Sequence, residues 1–317
     1  MSPHPAAFLG LDIGSTTVKL ALLDAEGMVI ETMYRRHGTA VRATLSNLLG
    51  ELAQKYPLLP VRCAITGSGA LDLGEALSLP FEQELLATAR AVAAAAPQTS
   101  VAVELGGEDA KLLYLGQDVE LRMNESCAGG TGAFIDQMAR LLSTDAQGLN
   151  ELASRHNTLY PIASRCGVFA KTDIVPLLNG GVAREDIAAS IFQAVVEQTI
   201  GGLACGRPIE GIVAFLGGPL HFLSELKKLF IAALHLENDE IAYLPHAQCA
   251  AAHGAALCVK DRQAETPLVR LDELARQARS LACEQTNPLT KALPRFFSDE
   301  REYETFRCRH SDDRLPD

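Results

Sequence analysis

Three short glycine turns in the chain could approach a phosphate, and two of them also carry side chains that could bind a phosphate or a metal ion. Each turn follows a short apolar run, so it is expected at the end of a β-strand. Glycine lets the backbone approach a phosphate closely, and amides and hydroxyls then donate hydrogen bonds to it. The first turn contains Asp12, Gly14, Ser15, Thr16 and Thr17, with Lys19 close behind. Asp12 could hold Mg²⁺ through water, and Lys19 could neutralise nearby charge.

The second and third turns lie far along the chain from the first. The second contains Glu104, Gly106, Gly107, Glu108 and Asp109. Its carboxylates could position Mg²⁺ or an attacking water molecule, which makes Glu104, Glu108 and Asp109 candidate catalytic residues beside Asp12. The third turn, at Gly217 and Gly218, precedes a predicted helix and could approach an adenosine or a phosphate at the helix N-terminus.

Each turn taken alone is also typical of an ordinary hairpin or strand-to-helix connection. The three together, in this order, favour a nucleotide site between two lobes. Two other nucleotide folds are disfavoured by their missing motifs: no G-x-G-x-x-G opens a helix after the first strand, and the chain contains no G-x-x-x-x-G-K-[ST].

Two of the eight cysteines, Cys127 and Cys166, stand before predicted helices; Cys249 also lies near a predicted helix start, so position alone does not single out the pair. Cys127 lies in the run Cys-Ala-Gly-Gly-Thr-Gly, and Cys166 follows Arg165. A helix N-terminus lowers the pKa of a thiol, and a thiolate is the form that binds a metal cluster. Their spacing of 39 residues and the absence of C-x-x-C are, taken alone, more typical of two structural cysteines. Two ligands per chain cannot complete a four-cysteine iron–sulfur cluster, but a two-fold dimer could.

The strand-and-helix pattern occurs twice along the chain, which predicts two α/β lobes. The expected first lobe is residues 1–97, and the second, carrying both cysteines, is residues 98–248. A final helix at 249–260 is expected to pack back on the first lobe. Residues 261–317 are predicted to form a charged C-terminal arm or the truncated start of a further domain. Leucines at helical spacing predict an early helix with one buried face: Leu45, Leu48, Leu49 and Leu52.

The composition excludes several classes of partner. Acidic residues outnumber basic ones, 39 against 28, and the formal charge of −11 disfavours binding to a nucleic-acid backbone. Hydrophobic residues make up 48%, which is too many for a disordered chain. No transmembrane helix and no signal peptide are predicted, so a cytoplasmic protein with reduced thiols is expected.

These segments resemble a known family, the activators of 2-hydroxyacyl-CoA dehydratases and the ATPase subunits of benzoyl-CoA reductase. The resemblance runs from about residue 8 to residue 257. It is carried by Leu-Asp-Ile-Gly-Ser-Thr-Thr-Val-Lys from residue 11, Thr-Gly-Ser-Gly from residue 66 and Leu-Gly-Gly-Glu-Asp-Ala-Lys from residue 105. The two cysteine segments are the most specific part, because sugar kinases of the same superfamily lack them.

The resemblance implies a two-lobed, actin-like (ribonuclease-H-like) ATPase of the actin, sugar-kinase and Hsp70 superfamily, with ATP or ADP and Mg²⁺ in the interlobe cleft. It implies that Cys127 and Cys166 hold one [4Fe-4S] cluster across a homodimer, and that ATP drives single electrons to a dehydratase- or reductase-type partner. Asp12 and Asp109 are the expected Mg²⁺ ligands. The expected nucleotide contacts are Gly14, Ser15, Thr16, Thr17, Lys19, Gly106, Gly107, Gly130, Thr131, Gly132, Gly217 and Gly218. By the same analogy, ferredoxin or flavodoxin is the electron donor.

The chain departs from the family pattern at two catalytic positions. Members usually carry aspartate at position 104 and glutamine at position 108, where this chain has glutamate at both. The amino-acid sequences of the cysteine segment and of the residues after Lys260 look most like the N-terminal module of very large multidomain activator-related proteins. The electron acceptor could therefore be a fused domain. Two alternatives stay open from the residues alone: a small-molecule kinase on the same fold, and a non-redox scaffold ATPase.

Overall fold

The computed structural model describes residues 6–116, 118–124, 129–163, 167–283 and 295–310. The chain divides into two units, Met1–Ala282 and Cys283–Asp317. The second unit contains one described helix, Glu300–Arg309, which is exposed along its length. Everything that follows concerns the first unit.

The described part of the first unit contains two five-stranded sheets. The strands are β1 (Ala7–Ile13), β2 (Thr17–Leu23), β3 (Val29–Arg36), β4 (Pro60–Thr66), β5 (Val101–Leu105), β6 (Ala110–Leu115), β7 (Val119–Met123), β8 (Val213–Leu216), β9 (Ile241–Ala242) and β10 (Leu268–Arg270). The first sheet has the order β10-β4-β1-β2-β3, and the second has the order β7-β6-β5-β8-β9.

Helices connect and cover these strands. They are α1 (Val41–Lys55), α2 (Leu71–Leu77), α3 (Glu84–Ala95), α4 (Gly132–Leu141), α5 (Ala146–Ala153), α6 (Gly167–Asn179), α7 (Arg184–Ala204), α8 (Gly218–Phe222), α9 (Ser224–Ala233), α10 (Ala250–Asp261) and α11 (Leu271–Cys283).

Both sheets are mixed in the same way. In each sheet an antiparallel hairpin, β1–β2 or β5–β6, is extended by a parallel partner, β4 or β8 respectively. All seven residues of β1 are buried, and such a continuous apolar run is typical of a strand covered on both faces.

Helices α1 and α11 cover one face of the first sheet. The predicted leucine face of α1 is confirmed, because Leu45, Leu48, Leu49 and Leu52 are all buried in the first-sheet core. The second sheet packs against α4, α5, α7 and α9, in a core that includes Phe134, Phe192 and Phe230.

Two helices, α3 and α10, pack against each other and join the two sheet layers. Their backbones touch at Gly254, where a Cβ would overlap the carbonyl of Ala87. Helix α10 also lies directly on β1, where a Cβ at Gly10 would overlap the carbonyl of Ala252. Glycine is therefore required at both points, because any side chain would force these elements apart.

The segment after α10 departs from the expected arm. Strand β10 pairs antiparallel with β4, and α11 buries Leu271, Leu274, Ala275 and Ala278 in the first-sheet core. The physical reason is that β4 would otherwise be an uncovered sheet edge. The chain therefore stays packed on the first sheet up to the end of α11.

Helix α7 is long and apolar enough to cross a membrane by length and composition, which holds for no other helix in the described residues. It lies inside the fold, with 67% of its most apolar window buried. This burial is typical of a core helix.

Candidate nucleotide-binding cleft

The β1–β2 turn is built around an acid and a lysine that face each other across the hairpin. Asp12 and Lys19 are direct partners in the antiparallel register. The turn is closed by the amide of Gly14, which donates a 2.9 Å hydrogen bond to the carbonyl of Thr17. The chain thus places one carboxylate and one ammonium at the mouth of the first hairpin.

The β5–β6 turn repeats this arrangement in the second sheet. Glu104 and Lys111 are direct register partners, and the amide of Gly106 donates a 2.8 Å hydrogen bond to the carbonyl of Asp109. Both turns therefore share one pattern, in which an acid is followed by glycine two residues later and by lysine seven residues later.

The acid and lysine of the first hairpin form a buried ion pair. Lys19 Nζ lies 2.7 Å from Asp12 Oδ2, and the Asp12 side chain is 1% exposed. Burial on its own would lower the pKa of Lys19, but the charge of Asp12 outweighs it and the pKa is raised. The other carboxylate oxygen, Asp12 Oδ1, is buried without a hydrogen-bond partner among the described residues.

The lysine of the second hairpin pairs elsewhere. Lys111 Nζ lies 2.6 Å from Glu84 Oε1 and 2.8 Å from Asp109 Oδ2. Glu104, its register partner, keeps a buried Oε2 without a hydrogen-bond partner in the described structure. Burial raises the pKa of Glu104, Lys111 opposes this, and the charge of Asp109 adds to it.

Glu84 was not among the predicted site residues, although it lines this cleft. It is the first residue of α3, and it reaches the second hairpin from the helix that joins the two layers. Burial, opposed by Lys111 and reinforced by Asp12 and Glu104, raises the pKa of Glu84 to about 7. Its sequence neighbours gave no chemical signal, because it opens an Ala-rich helix; only the tertiary structure brings it to the turn.

The two hairpin turns lie against each other. A Cβ at Gly107 would overlap the side chain of Thr16, so glycine permits the contact. The N-terminus of α4 is tied to the second turn, since the amides of Gly132 and Ala133 donate to the carbonyls of Gly106 (3.0 Å) and Gly107 (2.7 Å).

The cleft between the turns encloses only about 20 Å³. It is lined by Asp12, Gly14, Ser15, Thr17, Lys19, Ser68, Glu84, Glu104, Gly106, Gly107 and Asp109. This volume holds about one water molecule, which is less than a phosphate group occupies.

A second, larger cavity of about 420 Å³ includes Gly132 and Gly218 in its wall. Strand β3 bridges its two sides, because Arg36 makes a bidentate ion pair with Asp136 of α4. The Tyr34 ring also lies edge-on to Phe222 of α8, with 5.2 Å between centroids. Its partly apolar wall and its size suit a nucleoside.

The remaining predicted residues are placed as follows. Gly217, at a φ of +87°, packs on the backbone of Leu105, where any Cβ would overlap. Glu108 is exposed, and Thr131 is buried at the start of α4. Gly130 lies against Gln198 and Thr199 of α7 rather than in the lining of either cavity. Cys127 and Cys166 lie outside the described residues.

Within the described residues no group of three or more His, Cys, Asp or Glu side chains is arranged to hold a metal ion by itself. Magnesium seldom needs such a group, since it binds through one or two carboxylates, several waters and the phosphates of its nucleotide. The unpartnered oxygens of Asp12 and Glu104 therefore still suit a magnesium–nucleotide complex.

A family profile places the chain among known ATPases. The profile of the BadF/BadG/BcrA/BcrD ATPase family matches residues 9–259. The chain belongs to this family. The match confirms the resemblance inferred from the motifs, and it spans the residues that line the cleft and every strand except β10.

Named relatives are similar over most of the chain. It is 29% identical over 264 residues to the 2-hydroxyisocaproyl-CoA dehydratase activator of Clostridioides difficile, covering 81% of this chain and 96% of that one. It is 31% identical over 215 residues to the (R)-2-hydroxyglutaryl-CoA dehydratase activating ATPase of Acidaminococcus fermentans, covering 66% and 82%.

A solved structure confirms the fold class. The activator of the 2-hydroxyisocaproyl-CoA dehydratase from Clostridium difficile with bound ADPNP superimposes with a TM-score of 0.71 at 25% identity. The match covers 88% of this chain and 99% of that one. The predicted two-lobed, actin-like α/β fold is therefore confirmed.

Proposed function

We propose that this ATPase-family chain is an ATP-dependent, iron–sulfur-containing activator that delivers single low-potential electrons to a 2-hydroxyacyl-CoA dehydratase-like or benzoyl-CoA reductase-like partner. The observation that carries the nucleotide half of the proposal is the ionic composition of the cleft. Four carboxylates, those of Asp12, Glu84, Glu104 and Asp109, face two lysines. Carboxyl groups outnumber ammonium groups here, and two buried carboxyl oxygens lack a partner in the described structure; a divalent cation would favour the charged form of these groups.

In this proposal Asp12 and Asp109 organise Mg²⁺, and the glycine-rich turns at Gly14 and Gly106 receive the phosphates. The larger cavity beside Gly218 receives the adenosine. The relative solved with bound ADPNP supports the presence of a nucleotide site in this fold. Because the cleft is nearly closed, nucleotide binding would have to separate the two turns, and hydrolysis would let them meet again.

The redox half of the proposal rests on Cys127 and Cys166, which would each contribute a thiolate from both subunits of a homodimer. The described residues that follow these cysteines begin α4 and α6, and these two helices contact each other. Gly167, next to Cys166, lies close to the side chains of Gln137 and Phe134 of α4. When bound, a [4Fe-4S] cluster would supply one-electron chemistry at this position.

The partners follow from the relatives. Two of them are named as activators of acyl-CoA dehydratases, which supports a dehydratase-type acceptor, either separate or fused. We further propose a cytoplasmic setting and an external one-electron donor of the ferredoxin or flavodoxin type. The proposed coupling is that ATP binding and hydrolysis change the lobe arrangement, which changes the surroundings of the dimer interface.

The test is iron and acid-labile sulfide per chain after strictly anaerobic reconstitution, together with the elution volume. We expect about two of each per chain in a dimer, as one shared four-iron cluster requires. Cys127→Ser should lose the iron and keep nucleotide binding. Cys205→Ser, which changes an exposed cysteine on the second lobe, is the matched control and should keep both.

The opposite outcome would favour another function. A chain that binds ATP but no iron would contradict the redox half of the proposal. Substrate-dependent ADP release in air would then indicate a small-molecule kinase, and nucleotide-dependent light scattering would indicate an assembling scaffold ATPase.

A further inference from the structure

Lys111 has three carboxylates around it but contacts only two of them. Its register partner across the hairpin is Glu104, and directly opposed residues of an antiparallel pair have their Cβ atoms about 5 Å apart. Its ammonium nevertheless lies on Glu84 and Asp109, at 2.6 and 2.8 Å. The hairpin register thus places Glu104 opposite Lys111, but the two side chains do not form an ion pair.

We propose that Glu84 is a positioning residue for ATP hydrolysis: it holds the ammonium of Lys111 away from Glu104, so that Glu104 keeps a free carboxylate oxygen for the attacking water. This inference rests on the proposed ATPase activity and adds to it a residue from outside both glycine turns.

The first hairpin shows what happens when no such competitor is present. There Lys19 pairs with its register partner Asp12 at 2.7 Å, and no second carboxylate bonds to it among the described residues. The second hairpin has the same acid, glycine and lysine spacing and the same turn hydrogen bond. Without Glu84, Lys111 would keep only Asp109 as a bonded partner, and its ammonium would become available to its register partner Glu104.

The pairing matters because it decides which carboxylate can accept a proton. An ion pair with lysine stabilises the charged carboxylate and weakens it as a base. With Lys111 bonded to Glu84 and Asp109, Glu104 makes no ion pair among the described residues. Its free Oε2 is buried at the cleft without a partner in the described structure, where a water molecule could donate to it.

The proposed step is a hydrolysis whose atoms balance. The water oxygen forms a bond to the terminal phosphorus of ATP, and the bond from that phosphorus to the bridging oxygen of ADP breaks. The water proton passes to Glu104 and later to solvent or product. Glu84 exchanges no atoms; its contribution is to fix the position of Lys111.

The location of Glu84 gives it the necessary rigidity. It opens α3, which packs tightly against α10 at the Gly254 contact. Near its middle α3 is also joined to the C-terminal end of α10 by an ion pair, Arg90 Nε to Asp261 Oδ2 at 2.7 Å. A helix held in this way presents its first side chain to the second hairpin at a fixed position.

The test is a double-mutant cycle on steady-state ATP hydrolysis by the full chain. Glu84→Gln should lower kcat about 100-fold with the KM for MgATP changed less than about threefold, as loss of a catalytic base would. Glu84→Asp should retain part of the activity. In a Lys111→Met background, Glu84→Gln should have no further effect, because Glu84 acts through Lys111.

The matched control is Asp261→Asn, which removes the ion pair between Arg90 of α3 and the end of α10 and should leave kcat unchanged. A Glu84→Gln variant with wild-type kcat would overturn the inference. So would an effect of Glu84→Gln that is undiminished in the Lys111→Met background, since that would indicate only a structural role in α3. A wild-type chain that binds MgATP without hydrolysing it would instead refute the proposed ATPase function itself. If Glu84→Gln does not fold, the same comparison is made with Glu84→Asp.

Discussion

The two hairpin turns of this chain share a backbone design and differ in their ionic pairing. Both place an acid opposite a lysine, with glycine two residues after the acid, and both close with an amide-to-carbonyl hydrogen bond of 2.8 or 2.9 Å. In the first turn the acid and lysine bond to each other. In the second the lysine bonds to Glu84 and Asp109 instead.

This difference shows that two turns with the same backbone arrangement can have different ion pairs and therefore different chemical roles. A single side chain from a helix outside the repeat, Glu84, changes which carboxylate is neutralised. The first turn becomes a closed ion pair that keeps one oxygen for a cation, while the second keeps a buried carboxylate free. In the proposed function the first turn serves the metal through Asp12, and the second turn contributes Asp109 to the metal and Glu104 to the water molecule.

The largest expected effect comes from breaking the ion pair of the first turn. Asp12→Ala leaves the buried Lys19 ammonium without its partner, which should cost about 3–5 kcal/mol of unfolding free energy. Urea unfolding of the nucleotide-free protein measures this. The double variant Asp12→Asn with Lys19→Met, which removes both charges, should recover most of the loss. A single variant as stable as the wild type would contradict the buried pair.

The equivalent change in the second turn should behave in the opposite way. Glu104→Gln removes a buried charge that has an unpartnered oxygen, so stability should be unchanged or higher by about 1 kcal/mol. Hydrolysis should nevertheless fall about 100-fold, since the amide accepts no proton. Parallel urea unfolding and ATPase assays separate the two effects. If Glu104→Gln lost as much stability as Asp12→Ala, the proposed difference in ion pairing between the two turns would be contradicted.

A smaller effect is expected where the two turns meet. At Gly107 a methyl group would overlap Thr16, so Gly107→Ala should hold the turns apart and lower kcat about tenfold. Thr16→Ala removes both the hydroxyl and the methyl that the new group would overlap, so Gly107→Ala should cost less rate in a Thr16→Ala background than in the wild type. Equal rates in the wild type and Gly107→Ala would show that the turns need not close during hydrolysis.

Much of this arrangement could be predicted from the sequence, because its signals are local. A short apolar strand followed by glycine marks each turn, and Leu45, Leu48, Leu49 and Leu52 mark one helix face by spacing alone. The order of the turns and the two cysteine segments led to the family, which the profile match confirms.

The parts that the sequence did not reveal depend on contacts distant along the chain. Glu84 lies 27 residues before Lys111, and nothing in its Ala-rich helix indicates a site. Strand β10 is three residues long and is defined by the open edge of β4 rather than by its own pattern. Residues 12 and 84 likewise come close together because α3 packs on α10. This packing cannot be predicted from the spacing of residues in the sequence.

The smallest expected effect is a pH dependence of stability that tests the environment of Glu84. Its pKa is raised to about 7 by burial, and it lies near 4.5 in the unfolded chain. Because the pKa is higher in the folded state, the contribution of Glu84 to the free energy of unfolding is fully present below about pH 4.5. It is lost as the pH rises through about 7. Without nucleotide or Mg²⁺, the wild type should therefore lose about 1 kcal/mol between pH 5 and pH 8, which allows for the partial exposure of the side chain. Glu84→Gln should lose less stability than the wild type over this pH range. The control is Glu31→Gln, because the pKa of Glu31 is lowered chiefly by Lys55; this variant should lose as much stability as the wild type. Urea unfolding at the two pH values is the measurement, and equal losses in the wild type and Glu84→Gln would mean that Glu84 stays charged beside Lys111 throughout.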